Sequence, residues 1–460
     1  MLRLFLLFSL CCGVSATAQT IHISPAGPIL AGDPIGITMT NLPPNAQVTI
    51  DARRLIEETP GKVLYRAEAT FSADANGQLD LSQAKPVAGS YRTTDIHGLF
   101  WSMTPSKVSA DAPTEMNQVL LTARVADKAV ASAQLRFVGT LPTVKAEEVA
   151  IFPGAVFARM PGNQRLPVVI VLGGSEGGSR SAREMALNLA ARGFAVLGLP
   201  YYSPASYNSQ ERELQTLPRS FVDIPVDRLN QAHAWLKGRA DVDPGRVALL
   251  GTSKGAEFAL IAASKMDWIS SVVAIVPSDV VWQGWGPDVI PADARRSSFS
   301  YAGQALPFVP NKDFVQELSG FQSGAEVRYR RPQDKGRAAD PAAAVAARIR
   351  VENFKGPLLV AGGIEDQMWA SGMMAQNIAE RRAEAKLETV ALIYTDAGHA
   401  LNGNGWSPTS QYNAGLFKVG GTAEANAKAQ AEIWRETLAF LRRTLGLKPD
   451  IQTGDRIGMH

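Results

Sequence analysis

The stretch Val247-Ala248-Leu249-Leu250-Gly251-Thr252-Ser253-Lys254-Gly255 runs directly into the alanine-rich segment Ala256 to Ala263, and its reading decides the fold. Four consecutive apolar residues suit a strand buried on both faces, and the segment after Gly255 suits a helix. Glycines on either side of Ser253 allow a turn so tight that the serine is held in a strained backbone conformation, its hydroxyl presented above a helix N-terminus. Ser253 is therefore the first candidate for a nucleophile.

The pattern occurs twice. Gly173-Gly174-Ser175-Glu176-Gly177 also follows a strand-like run, Pro167 to Leu172, and also precedes a helical pattern. Chain order separates the two, because in an α/β-hydrolase the serine is followed by Asp or Glu and then by His, while an oxyanion loop follows an earlier strand. Gly173 to Gly178 suits that loop. On this reading the backbone N–H groups of Ser175 and Lys254 point at a developing oxyanion and stabilise it with hydrogen bonds already in place.

A serine needs a base, and histidine titrates near working pH. Of five histidines, His22 and His97 fall where no α/β pattern is seen, His460 ends the chain, and His233 shares a helix face with Leu229 and Leu236. His399 follows the apolar run Val390 to Tyr394 and is the candidate base. The acid that orients it should lie between Ser253 and His399 on a loop after a strand. Pro357 to Gly363 is such a strand, and Asp366, three residues past Gly363, is the first choice, with Glu365 as the alternative. Asp396 reads as a loop-capping residue.

Around this core, Val168 to Leu172, Ala195 to Leu199, Val272 to Val276, Leu358 to Ala361 and Thr389 to Tyr394 read as further strands. Arg183 to Arg192, Val226 to Lys237 and Ala423 to Leu445 read as helices. That alternation predicts a doubly wound, mostly parallel sheet over residues 145–447. Trp282 to Arg350 breaks it and is expected to be an insertion near the active site. Within it, Arg328 to Arg331 reads as a solvated charged face, with recognition of an anionic substrate as the alternative. Lys254 and Glu257, one helical turn apart, read as candidate substrate contacts, with a local ion pair or a brace to another domain the favoured reading for Glu257. Ahead of Thr140 to Val144, short alternating runs such as Gln47 to Ile50 and Ala133 to Val138 are broken by Pro43-Pro44, Asn76-Gly77 and Gly89. They predict an immunoglobulin-like β-sandwich over residues 19–140. Residues 448–460 form a C-terminal tail.

A net charge of +3 gives no case for a nucleic-acid partner. Arg3, the apolar run Leu4 to Val14 and Ala16-Thr17-Ala18 form a secretory signal peptide, 1–18, cut after Ala18, so export to a periplasm or medium is expected. The apolar run is shorter than the ~20 residues that span a bilayer, so no membrane span is expected in the mature chain. Cys11 and Cys12 fall inside this segment. The mature chain then holds no cysteine, which excludes thiol nucleophiles and thiolate metal sites. The chemistry calls for no metal and no cofactor, and composition sets no oligomeric state.

Several separated stretches resemble the family of acyl-CoA thioesterases and bile acid-CoA:amino acid N-acyltransferases. In the first domain they are Leu42-Pro43-Pro44, Phe71 to Gly77, Gly89-Ser90-Tyr91 and Gly98-Leu99-Phe100-Trp101-Ser102-Met103. In the second they are Gly251 to Glu257, Asp366-Gln367-Met368-Trp369-Ala370-Ser371, Ala397-Gly398-His399, Gly420-Gly421-Thr422 and Trp434. The resemblance implies a β-sandwich ahead of an α/β-hydrolase domain and a triad of Ser253, Asp366 and His399. Transferase members carry cysteine at the nucleophile, so serine implies hydrolysis of a small acyl ester or thioester. Acyl transfer to an amine or alcohol, or a non-catalytic exported binding protein, are the alternatives. Acyl-CoA is an intracellular metabolite, so export leaves the leaving group open.

Overall fold

A computed structural model of the chain describes residues 18–58, 61–107, 112–116, 118–204, 212–289 and 295–448. The expected signal peptide, 1–18, and the expected C-terminal tail, 448–460, lie outside the described residues, apart from Ala18 and Lys448. Two compact units are present. One comprises the chain up to Pro25 with Ile35–Leu99 and Ser106–Leu135; the other comprises Ala26–Pro34, Phe100–Pro105 and everything from Arg136.

The first unit is β-rich. Gly36–Thr40 pairs antiparallel with Thr20–Ser24 and with Leu79–Asp80, and Gln47–Glu58 pairs antiparallel with Gly61–Ser72 and Gln118–Val125. Alternation sets the register: Val48, Ile50 and Ala52 are buried, and they stand opposite the buried Phe71, Ala69 and Ala67. A one-residue slip would turn this whole set to solvent. At the Asn76-Gly77 break, Gly77 has φ 71°, and a side chain there would overlap the carbonyl of Leu42.

The second unit is built on eight strands. They are β1 (Lys145–Glu148), β2 (Val156–Arg159), β3 (Leu166–Leu172), β4 (Ala195–Gly198), β5 (Val242–Thr252), β6 (Ile269–Ile275), β7 (Leu358–Gly363) and β8 (Thr389–Tyr394). Their spatial order is β1-β2-β4-β3-β5-β6-β7-β8, with β1 and β2 antiparallel at one edge and the remainder parallel. This is the α/β-hydrolase arrangement. Both faces are covered, which is why the central strands are unbroken apolar runs. Val168, Ile170, Leu249, Val272 and Val360 pack with helices α2 (Arg228–Lys237), α3 (Lys254–Ala263) and α4 (Ser371–Glu384). Their neighbours Val169, Val171, Leu250, Val273 and Leu359 pack with Ala186 and Leu189 of α1 (Arg180–Ala190) and with Ile433, Leu438 and Leu441 of α5 (Ala423–Thr444). Truncating one such leucine to alanine costs about 2–5 kcal/mol.

Pieces of the N-terminal third complete this unit. Arg192 Nη2 reaches Asp33 Oδ1 at 2.5 Å and the carbonyl of Ala31 at 3.1 Å, and Phe100 and Phe137 pack on Trp406. The 282–350 insertion carries its own secondary structure: Phe299–Tyr301 pairs parallel to Ile224–Pro225, and Phe314–Leu318, Arg330–Ala339 and Pro341–Ala346 are helical. Among the described residues, no helix is long and apolar enough to cross a membrane.

Candidate active site

Ser253 sits between β5 and α3 with φ 56° and ψ −119°, a left-handed backbone that residues with a β-carbon rarely adopt. Both flanking glycines are obligatory. A β-carbon on Gly251 would overlap the carbonyl of Gly255, and one on Gly255 would overlap the carbonyls of Leu172 and Gly173. The Ser253 N–H donates to the carbonyl of Ile275 at 2.9 Å, which anchors the strained residue to the end of β6.

His399, on the loop after β8, brings Nε2 to 3.0 Å from Ser253 Oγ and Nδ1 to 2.8 Å from Asp366 Oδ2. A carboxylate only accepts, so the ring proton belongs on Nδ1 and leaves Nε2 free to take the serine proton. Asp366 is fully buried on the turn after β7. Its Oδ1 accepts the N–H groups of Met368 at 2.8 Å and Trp369 at 3.2 Å, and its Oδ2 accepts the Ser371 hydroxyl at 2.5 Å as well as His399. Four donors hold the carboxylate in place. Glu365, the alternative acid, is exposed, and the imidazole Nδ1 pairs with Asp366 instead.

A third segment binds the acid and histidine loops together. Gly420 bridges to Asp366 and Gly421 to Ala397, while His399 N–H donates to the carbonyl of Val419 at 2.9 Å. Gly420 and Gly421 both have positive φ, and a β-carbon on Gly398 would overlap Gly420. Two asparagines hold this segment. Asn413 donates to the carbonyls of Gly420 and Gly421 and accepts from the N–H groups of Val419 and Gly420; the fully buried Asn426 accepts Gly398 N–H and donates to Gly420. Neither asparagine was picked out by sequence reasoning. The Gly420-Gly421-Thr422 motif was the only local signal, and it marked the segment without its purpose.

Ser175 lies on the loop after β3, close to the elbow: a β-carbon on Gly174 would stand 3.4 Å from Ser253 Cβ. Gly174 N–H is taken by Glu176 Oε1 at 2.9 Å, which also accepts the Ser181 hydroxyl at 2.5 Å. The Tyr201 hydroxyl, fully enclosed, donates to the carbonyl of Gly173 at 2.7 Å. The N–H groups of Ser175 and Lys254 have no acceptor among the described residues.

The structure also tests three further expectations. Lys254 and Glu257 are a buried ion pair, 2.5 Å apart, and neither side chain is open to a substrate; their outside partners are in the insertion, not in another domain. Arg328 to Arg331 is neither a free anion site nor a bare solvated face. Arg328 pairs with Glu326 and Arg331 with Glu317, while Arg330 donates to the carbonyls of Ile364 and Asp366 and so supports the acid turn from behind. His233 is a packed helix residue, as read: it stacks on Trp268, its Nε2 lies 2.9 Å from the Pro244 carbonyl, and burial lowers its basicity. Among the described residues, no cluster of three or more His, Cys, Asp or Glu is arranged to hold a metal ion.

Comparison with known proteins extends over nearly the whole chain. Residues 32–150 match the model of the acyl-CoA thioester hydrolase/BAAT N-terminal region, and residues 224–447 that of the BAAT/acyl-CoA thioester hydrolase C terminal. Residues 154–285 also match the dienelactone hydrolase family. A peroxisomal succinyl-coenzyme A thioesterase of Mus musculus is 26% identical over 452 residues, covering 93% of this chain and 97% of the relative. An acyl-coenzyme A amino acid N-acyltransferase 2 of Rattus norvegicus is 28% identical over 451 residues, covering 93% and 97%.

Proposed function

The chain belongs to the acyl-CoA thioester hydrolase/BAAT family, and from that premise we propose that it is a serine hydrolase cleaving an acyl thioester or ester through an acyl-enzyme intermediate. Ser253 Oγ attacks the carbonyl carbon while His399 Nε2 takes its proton, and Asp366 stabilises the imidazolium that forms. Lys254 and Ser175 N–H groups receive the oxyanion. His399 then returns the proton to the leaving thiol or alcohol. Water, activated by the same histidine, attacks the acyl-serine, releasing the acid and restoring the serine. The observation that carries this reading is the continuous hydrogen-bonded run from Ser253 through His399 to the buried Asp366, at 3.0 and 2.8 Å.

A fluorophosphonate probe on the purified mature protein tests it. Labelling is expected in the wild type and absent in Ser253→Ala; labelling that persists in that variant sinks the assignment. Parallel screening of short and long acyl esters against CoA thioesters then identifies the leaving group.

The near-full-length likeness to an N-acyltransferase supports a second reading, in which an amine replaces water in the last step. Product analysis with and without amine acceptors separates the two. Export is proposed on the Leu4 to Ala18 segment; N-terminal sequencing of protein from the periplasmic or extracellular fraction should begin at Gln19, and a start at Met1 overturns it.

A further inference from the structure

Lys254 follows the nucleophile directly, and its side chain turns into the protein. The ammonium donates to Glu257 Oε2 at 2.5 Å and to Ser298 Oγ at 3.0 Å. Four rings surround it: Phe221, Phe299, Trp285 and Trp369, with centroids at 5.0, 5.1, 5.4 and 5.7 Å. The other Glu257 oxygen accepts the backbone N–H of Trp282 at 3.1 Å, and the Ser298 hydroxyl donates to the Trp282 carbonyl at 2.8 Å. Burial pulls the lysine down and pushes the glutamate up, and each partner opposes the other's shift.

This one pair therefore touches three parts of the site. Its own residues form the first turn of α3, Trp282 and Ser298 come from the insertion, and Trp369 comes from the acid turn. Trp369 gives its N–H to Asp366 Oδ1 and packs its ring edge-on against His399 at 5.7 Å. Stability alone does not call for such a pair, because a buried ion pair is often matched or exceeded by apolar residues of similar volume. Its position suggests alignment.

Resting on the reading of Ser253 as nucleophile, we propose that the Lys254–Glu257 pair is a positioning device: it locks the main chain of Lys254, whose N–H receives the oxyanion, and ties that lock to the insertion and the acid turn. Neither side chain touches substrate. The insertion is thereby a working part of the site, since it supplies the outside hydrogen bonds to both charges.

The test measures fluorophosphonate inactivation, which puts a phosphoryl oxygen where the oxyanion would sit, resolved into the rate kinact and the half-saturating concentration KI. The double variant Lys254→Met, Glu257→Met removes both charges and leaves neither unpaired. It is expected to keep its cooperative thermal transition while kinact falls about tenfold or more and KI changes less than about twofold. A folded double variant with wild-type kinact overturns the proposal, and so does a loss confined to KI. Should the double variant fail to fold, Ser298→Ala decides: removing one partner of the ammonium should lower kinact about threefold with KI unchanged, and wild-type kinact there overturns the proposal. A wild type that takes no label at all refutes the serine mechanism instead, so the two failures are distinct.

Discussion

Two glycine-flanked serines end neighbouring parallel strands, with Leu172 of β3 in register with Gly251 of β5, yet the backbones that follow differ. In the 251–255 segment the strain is on the serine itself, at φ 56°. In the 173–178 loop Ser175 keeps an ordinary backbone, and the left-handed positions are Gly177 and Gly178, at φ 66° and 69°. The crowding differs too. Gly251 and Gly255 are hemmed in by backbone carbonyls, whereas a β-carbon on Gly173 or Gly174 would first meet side-chain ends, Ser181 Oγ at 2.7 Å and Glu176 Oε2 at 2.6 Å. One serine is thus held by backbone that cannot move, and the other rides on a loop held by side chains. A five-residue signature is shared by both and distinguishes neither.

Substitutions at matched positions sharpen or break that contrast. The largest effect belongs to the serines: Ser253→Ala should lower kcat/KM about 10⁴–10⁶-fold, while Ser175→Ala, which keeps its N–H, should stay within about twofold. Equal losses in esterase assays of the two would end the distinction. Next come the glycines. Gly255→Ala forces a methyl into two backbone carbonyls and should cost roughly 3 kcal/mol or more in thermal or denaturant unfolding, with Gly173→Ala milder because hydroxyl and carboxylate ends can rotate away. Glu176→Ala frees Gly174 N–H and Ser181, and should lower kcat/KM about tenfold with far-UV circular dichroism unchanged; an unchanged rate would mean the loop needs no such anchor. The smallest effect is Tyr201→Phe, which removes the hydrogen bond to the Gly173 carbonyl at about 1 kcal/mol of stability. Burial first, then the Glu176 carboxylate, push this phenol well above its ordinary range. With the folded phenol raised and the unfolded one ordinary, the stability difference between Tyr201→Phe and wild type should be flat with pH below about 10 and shrink above it as the unfolded phenol ionises; a difference that stays constant above that range would show that folding does not raise the phenol.

Much of this arrangement was legible in the chain. Unbroken apolar runs such as Val168 to Leu172 signalled strands covered on both faces, and the order of Ser253, Asp366 and His399 after three of the strands followed from where those runs stop. Even the choice of Asp366 over Glu365 came from an offset of three residues past Gly363. Other features left little local trace. Asn413 and Asn426 look like ordinary polar residues in a loop and a helix, and only their hydrogen bonds to residues 398 and 419–421 give them a purpose. Arg330 read as one member of a basic cluster, although besides pairing with Asp334 it donates to carbonyls 34 and 36 residues away. The insertion read as a break in the pattern, yet Trp282 and Ser298 hold the two charges beside Ser253.

By itself the sequence determined the strand and helix pattern, the elbow and the residues fit to act as nucleophile, base and acid. All of these depend on near neighbours, through side-chain alternation, turn sterics and intrinsic acidity. Only the tertiary structure decided which carboxylate is buried against the imidazole, which glycine loop carries the strained serine, and what supports each loop from behind. Those outcomes depend on close approaches between segments far apart in the chain, and no local pattern encodes which backbone carbonyl will arrive beside a given N–H or side chain.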